Sequence, residues 1–172
     1  MGYINGEKEA GCLFCRKAAG EDDLADHVVA RGERSFVLLN LFPYNSGHLL
    51  VAPYRHTDLL EDLEPGETAE MMSLVRKSVE VLKGCLAPEG FNIGFNLGKS
   101  AGAGIVDHLH LHIVPRWEGD TNFMPVISDT RVVPQALAET GRVLREAFAA
   151  PRSENRRERA GESQSSIEEK SL

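Results

Sequence analysis

Val106-Asp107-His108-Leu109-His110-Leu111-His112-Ile113-Val114-Pro115-Arg116 places three of the chain's six histidines at alternate positions inside an apolar run. The side-chain period of a strand is two, so the pattern predicts a strand with His108, His110 and His112 on one face and Leu109, Leu111 and Ile113 on the other. Successive imidazoles on that face begin roughly 6.5 to 7 Å apart, so the row spans a phosphoester group and its neighbours. A lone histidine in a strand is usually a half-buried residue with one hydrogen bond. Three in register are different, because each buried ring needs partners for two nitrogens. Such a row suits either direct metal ligation or nucleophilic and acid–base work by imidazole.

Composition bounds what the row serves. The chain has 172 residues, 42% of them hydrophobic, enough for one compact domain with its own core. No run approaches ~18 apolar residues, and the start Met1-Gly-Tyr-Ile-Asn-Gly-Glu-Lys-Glu-Ala has no signal-peptide core. Three cysteines, an odd number, argue against a disulfide framework and fit a reducing compartment, so the expected location is cytoplasmic. A net charge of −7 speaks against general binding to nucleic acid or to an anionic membrane. Any phosphate must then be held by local groups.

Outward from the row, the elements alternate between hairpins and one long helix. Residues 1–10 are polar and expected to fray, and 151–172 is almost free of large apolar residues and expected to be disordered. Cys12-Leu-Phe-Cys15 precedes a short helix-like Arg16-Lys-Ala-Ala and then Gly20. The pair alone fits a redox motif, half of a zinc site or chance, and no βαβ pattern follows to favour a thioredoxin-like role. Val28–Arg31 and Ser35–Leu39 read as a hairpin turning at Gly32. Pro43-Tyr-Asn-Ser-Gly47 is a turn leading into the strand His48-Leu-Leu-Val-Ala, closed by Pro53. Asn40, at the end of the preceding strand, fits a turn residue.

Pro65 opens a helix to about Leu86, with Met72, Val75, Val79, Leu82 and Leu86 as a core stripe and Cys85 beside it as a small hydrophobe. Phe91–Leu97 reads as the strand that pairs with the histidine strand. Between them, Gly98-Lys-Ser-Ala-Gly-Ala-Gly104 contains Gly-Lys-Ser, yet a Walker A loop needs Gly where Ile93 stands. The loop is better read as a source of backbone N–H groups for a phosphate, or as a merely flexible connection. A second helix runs from Pro134 to about Ala149. The expected architecture is α+β, an antiparallel sheet of about five strands with one long and one shorter helix.

Residues 11 to 150 resemble the histidine-triad (HIT) family. His108-Leu-His110-Leu-His112-Ile-Val matches the family's His-φ-His-φ-His-φ-φ, with φ apolar, at every position. Asn40-Leu-Phe-Pro-Tyr-Asn-Ser-Gly-His48-Leu-Leu-Val-Ala-Pro and Asn96-Leu-Gly98-Lys-Ser-Ala-Gly102 look like its two other nucleotide-contacting segments. The resemblance implies a HIT-like fold, a homodimer whose sheets join, and a small nucleotide substrate, with no nucleic-acid or membrane partner expected. It implies His110 as the nucleophile, His112 as the group on the phosphoryl oxygens and leaving group, and His48 as their support. Asn40, Asn96, Gly98, Lys99, Gly102, Gly104 and Trp117 are the implied nucleotide contacts, Trp117 acting with the Gly119–Pro125 stretch. Many bacterial members join such a Cys-x-x-Cys to two histidines, which fall here on His56 and His108. A structural zinc ion on Cys12, Cys15, His56 and His108, and no organic cofactor, is the corresponding expectation.

Within the family the chain looks closest to dinucleoside polyphosphate enzymes: diadenosine tetraphosphate phosphorylases first, fragile-histidine-triad-type hydrolases second. One departure bears on the choice. Many members carry Gln or Ser a few residues before the triad as a phosphate contact, whereas Ala103-Gly104 offers no side-chain donor here, which leaves both water and inorganic phosphate open as the second-step acceptor. A nucleoside phosphoramidate hydrolase is a further alternative. Two readings of other classes are a hydrolase whose triad itself holds Zn²⁺ and a nucleotide-binding module without turnover. A hexose-phosphate uridylyltransferase would show His-Pro-His, which is absent.

Overall fold

A computed structural model of the chain describes residues 11–120 and 134–150, with the side chains of 134–136 excepted. The expectations for 1–10, 151–172 and Thr121–Pro125 lie outside them. Five strands, β1 (Val28–Arg31), β2 (Ser35–Leu39), β3 (Leu49–Pro53), β4 (Gly90–Phe95) and β5 (Leu111–Arg116), form one antiparallel sheet in the order β1-β2-β3-β5-β4. Among the described residues three α-helices accompany it: α1 (Leu13–Ala19), α2 (Pro65–Leu86) and α3 (Pro134–Ala149). The α+β class holds, and the helix-like Arg16–Ala19 lies in the seven-residue α1, which begins three residues earlier at Leu13.

Alternation along the strands divides the core in two. Val37, Leu39, Leu49, Val51, Leu111 and Ile113 face α2 and α3, meeting Met71, Val75, Leu82 and Leu144. Phe36, Leu38, Leu50 and Ala52 point to the opposite face, where Phe14 of α1 covers them. Phe14 is wholly buried, so a seven-residue helix too short to persist alone is held by its docked ring. Its C-terminal end is held by Arg31, whose guanidinium donates to the carbonyls of Lys17, Ala18 and Gly20 and to the Asp23 carboxylate. That satisfies carbonyls that a helix end otherwise leaves open.

Helix α2 begins as its sequence directs, with Pro65 at N1 and Glu67 at N3 accepting the Glu64 N–H at 2.9 Å. Of the expected core stripe, Val75, Val79, Leu82 and Leu86 pack in the core and Met72 does not. Met71 is buried and Met72 is 49% exposed, because Met71, Val75 and Leu82 keep the 4-and-7 spacing on the sheet side. The histidine strand is also shorter than predicted. Regular pairing begins at Leu111, opposite Val51 and Phe95, so His108 and His110 precede the strand. The physical reason lies in the partner, since β3 ends at Pro53, which has no N–H to extend the ladder. Among the described residues no helix is long and apolar enough to cross a membrane.

Candidate active site and metal cluster

The alternation read from the sequence survives the early loss of strand pairing. Leu111 and Ile113 go to the α2 face, while His110 and His112 go to the other, where His48 joins them from the entry to β3. The rings of His110 and His112 lie 4.9 Å apart, and those of His48 and His112 5.1 Å apart. Phe14 packs against the ring of His110 at 4.8 Å. Across the ladder from His112 stands Gly94, and nothing lies within 4 Å of where its Cβ would be. Among the described residues the β4 side beside His112 is therefore unfilled, while Tyr44 stacks on the His112 ring with centroids 6.0 Å apart.

Hydrogen-bond polarity fixes which nitrogen carries each proton. His110 Nδ1 is 2.8 Å from the carbonyl oxygen of His108, and a carbonyl only accepts, so Nδ1–H donates and Nε2 keeps its lone pair. For His48 the direction is reversed. The backbone N–H of Tyr44 donates to its Nδ1 at 3.1 Å, with Asn40 Nδ2 beside it at 3.3 Å, so the proton of His48 sits on Nε2. That Nε2–H lies 2.9 Å from His112 Nδ1 and donates to it, which leaves the His112 proton on Nε2. His112 Nε2 is buried and has no hydrogen-bond partner among the described residues. A lone pair on one ring thus stands beside an uncommitted N–H on the next.

Burial keeps these rings neutral. His48, wholly buried, is pushed down to about 3, chiefly by desolvation and then by the neighbouring His112 and His110. His112 is pushed down to about 4 by desolvation first and His110 second. Burial also lowers His110, against the opposing bond to the His108 carbonyl. Neutral imidazole is what a nucleophile and a neutral hydrogen-bond donor require.

The first histidine of the row leaves this group. His108 Nε2–H donates to the Pro53 carbonyl at 3.0 Å, so its Nδ1 lone pair faces the cysteines, 3.2 Å from Cys12 Sγ and 3.6 Å from Cys15 Sγ. His56 Nδ1 lies 3.4 Å from Cys15 Sγ. The four ligand atoms fall within 4.8 Å of one another. Tetrahedral coordination with metal–sulfur near 2.3 Å and metal–nitrogen near 2.0 Å puts sulfur and nitrogen about 3.5 Å apart, which these separations match. The Pro53 carbonyl is the kind of outer partner that orients a ligating imidazole. Cys12, Cys15, His56 and His108 can therefore hold a metal ion, and the structure joins all four expected residues.

The expected nucleotide contacts are placed less uniformly. Asn40 serves first as a turn residue, its Oδ1 accepting the Phe42 N–H at 3.0 Å, while its amide adjoins His48. The loop holding Gly98, Lys99, Gly102 and Gly104 joins β4 to β5 ahead of His110 and contains a single 3-10 turn, with Gly98 and Gly102 at positive φ. Two of its N–H groups close that turn, Ala101 onto Gly98 and Gly102 onto Lys99, so a phosphate would have to use others. Asn96 is half-buried at the end of β4, and Trp117 is half-buried just past β5. Sequence reading missed Phe14 as the wall behind His110, and it missed Tyr44, whose N–H orders His48 and whose ring lies 4.9 Å from it. No residue type signals a backbone donor.

Comparison with known proteins agrees with this geometry. The HIT domain model matches residues 21–119. A Mycobacterium tuberculosis protein named AP-4-A phosphorylase is 50% identical over 122 residues, covering 71% of this chain and 63% of that protein. The match thus spans less than two thirds of the relative's length. The asymmetrical bis(5'-nucleosyl)-tetraphosphatase of Schizosaccharomyces pombe is 36% identical over 97 residues, 56% of this chain and 53% of that one. Among solved structures, a zinc-bound histidine triad family protein from Mycobacterium smegmatis superposes with a TM-score of 0.66 at 33% identity, covering 81% of this chain and 94% of its own.

Proposed function

The chain belongs to the HIT family, and from that premise we propose that it is a nucleotidyl-transferring enzyme cleaving dinucleoside polyphosphates at the α-phosphate, as a diadenosine tetraphosphate phosphorylase. The observation that carries the reading is the pair of opposed nitrogens, the lone pair on His110 Nε2 beside the free N–H on His112 Nε2. His110 Nε2 attacks the α-phosphorus, and the bond from phosphorus to the bridging oxygen breaks. His112 Nε2–H first hydrogen-bonds the phosphoryl oxygens, then gives its proton to the departing ATP. Inorganic phosphate next attacks the nucleotidyl-His110, returning a proton to His112 and leaving as ADP. Asn40, Asn96, Trp117 and the glycine loop at Gly98, Lys99, Gly102 and Gly104 would hold the nucleotide, and His48 supports the ring of His112.

In this reading Cys12, Cys15, His56 and His108 hold a structural zinc ion, which ties α1 to the sheet with no open coordination position. The same geometry disfavours a zinc ion on the triad itself, because His108 turns away from His110 and His112. A homodimer is part of the proposal too. β4 is the sheet's edge, and Asn92, Ile93 and Gly94 are exposed along it, so a second copy can continue the ladder.

The deciding experiment incubates the protein with diadenosine tetraphosphate and labelled inorganic phosphate. Label entering ADP, with ATP as co-product, is the expected result. AMP and ATP without labelled ADP would identify water as the acceptor instead, the outcome favoured by the similarity to the yeast tetraphosphatase. No turnover of any dinucleoside polyphosphate would overturn the assignment.

A further inference from the structure

The hydrogen bonds that place the protons on His48 and His112 begin outside the histidines. Residues 45–48 form a tight turn in which the His48 N–H donates to the Asn45 carbonyl at 3.2 Å and Gly47 takes φ +75°, as a type II turn requires. The side chain of Asn45 reaches across the sheet end. Its Nδ2 donates to the Pro115 carbonyl at 3.1 Å and to the Asp120 carboxylate at 2.6 Å. Asp120 in turn accepts the Trp117 N–H at 2.9 Å and the Arg116 guanidinium at 2.6 Å. It closes a second turn, 117–120, where Gly119 has φ +79° and the Asp120 N–H donates to the Trp117 carbonyl at 3.1 Å. One amide–carboxylate pair, 75 residues apart in sequence, joins the turn before β3 to the turn after β5.

We propose that Asn45 and Asp120 are positioning residues for the reaction, holding the Tyr44 N–H on His48 Nδ1 and thereby deciding which nitrogen of His112 carries the proton. The inference rests on the function proposed above. Asn40 Oδ1 on the Phe42 N–H and the Tyr44 ring on His48 and His112 also hold the segment, but Phe42 and Tyr44 are 72% and 67% exposed, so burial adds little and the Asn45–Asp120 bond is its tie to the turn after β5. Hydrogen bonds to a carboxylate are stronger than neutral ones, so Asp120 is the firm end of the chain. The backbone N–H of Tyr44 matters more than the Asn40 amide, since an amide can rotate to present its oxygen and a peptide N–H cannot. Without that donor, His48 can carry its proton on Nδ1 and accept on Nε2 from a proton on His112 Nδ1. The relay then runs backwards. His112 Nε2 would present a lone pair to the phosphoryl oxygens, and the leaving group would find no proton.

The test reads proton positions directly, in the full-length protein with isotopically labelled histidine, from long-range proton–nitrogen spectra at neutral pH without substrate. The wild type should show His48 and His112 protonated on Nε2. Asn45→Ala and Asp120→Ala should each convert His112 to a mixture or to the Nδ1-protonated form. With diadenosine tetraphosphate, kcat should fall about tenfold or more while KM changes less than about threefold, as for a lost geometric support and not a lost substrate contact. Asp120→Asn, which keeps an acceptor oxygen for Asn45, should recover part of both, and it serves as the informative variant if the alanine forms do not fold. Unchanged protonation in a folded Asn45→Ala and Asp120→Ala pair, or wild-type kcat in both, would overturn the inference. A wild type inactive on dinucleoside polyphosphates whose variants still shift the protons would remove the proposed substrate and leave the positioning role standing.

Discussion

The carbonyl oxygen of His108 accepts the Nδ1–H of His110 at 2.8 Å, while the ring of His108 faces the two cysteines on the other side. One residue thus faces the Cys/His cluster with its side chain and holds the proposed nucleophile with its backbone. The backbone function does not depend on the ring, because the segment is also held by the Leu109 N–H on the Thr57 carbonyl. Division of labour along one short run explains how three similar residues act differently.

His110→Ala should reduce turnover of diadenosine tetraphosphate at least about a thousandfold, because among the described residues His110 is the ring whose free lone pair stands beside the His112 Nε2–H. Folding should be preserved, and the His110→Gly protein should regain turnover with added imidazole, which fits the space left by the ring. Steady-state assays and far-ultraviolet circular dichroism check both halves. More than a tenth of wild-type activity in His110→Ala would exclude it as the nucleophile.

Acid should destabilise the fold through the buried rings, and the sign follows from the depressed values. His48 near 3 and His112 near 4 stay neutral in the folded chain, while unfolded histidine takes a proton near 6.5. Their contribution is complete above about pH 6.5 and declines as pH falls from there towards the folded values, by at most about 1.4 kcal/mol per pH unit for each ring. Urea unfolding at several pH values between 7.5 and 4.5 measures the slope. His48→Gln removes one such ring, so its stability should fall less steeply with acid, by about one proton per molecule. An identical slope in both proteins would show that His48 titrates normally.

Gly47→Ala should cost about 1–3 kcal/mol, from the strain of a non-glycine residue at φ +75° and from overpacking. A Cβ there would stand 2.5 Å from Leu86 Cδ1 and 3.0 Å from Leu82 Cδ2, on the stretch of α2 packed under the turn. Adding Leu86→Ala should relieve the clash but not the φ strain, so a double-mutant cycle by urea unfolding should show favourable coupling. Strict additivity would mean that backbone conformation alone requires the glycine.

What could be read from the sequence was what repeats or lies close together. The alternation around His108, His110 and His112 gave the two faces of β5, and Pro65 with the following apolar spacing gave α2. Spacing gave less where a neighbour decides. Met71 and Met72 differ by one step on the helix, and only the direction of the sheet separates the buried one from the exposed one. The strand was read too long because its end is set by Pro53 on another strand. Asn45 was legible as part of the 43–47 turn and Asp120 as part of the Gly119–Pro125 stretch beside Trp117, and nothing local marks a bond between them across 75 positions. The four proposed metal ligands were legible only through family resemblance, since Cys12-x-x-Cys15 nominates no histidines.

Protein purified without chelators should contain about one zinc ion per chain, bound by Cys12, Cys15, His56 and His108. Both cysteine sulfurs and both imidazoles lie at ligand-to-ligand spacing, and the His108 Nε2–H bond to Pro53 leaves Nδ1 as the donor. Because α1 carries Phe14 against His108 and His110, losing the ion should loosen a helix that walls the nucleophile. Cys12→Ser should therefore lower the thermal midpoint clearly, yet reduce kcat less than about tenfold, since His110 keeps its bond to the His108 carbonyl. Metal analysis, thermal unfolding with and without chelator, and assays on the refolded variant separate the two effects. Absence of metal from such preparations, or an unchanged midpoint after replacing both cysteines, would return this cluster to an ordinary packed turn.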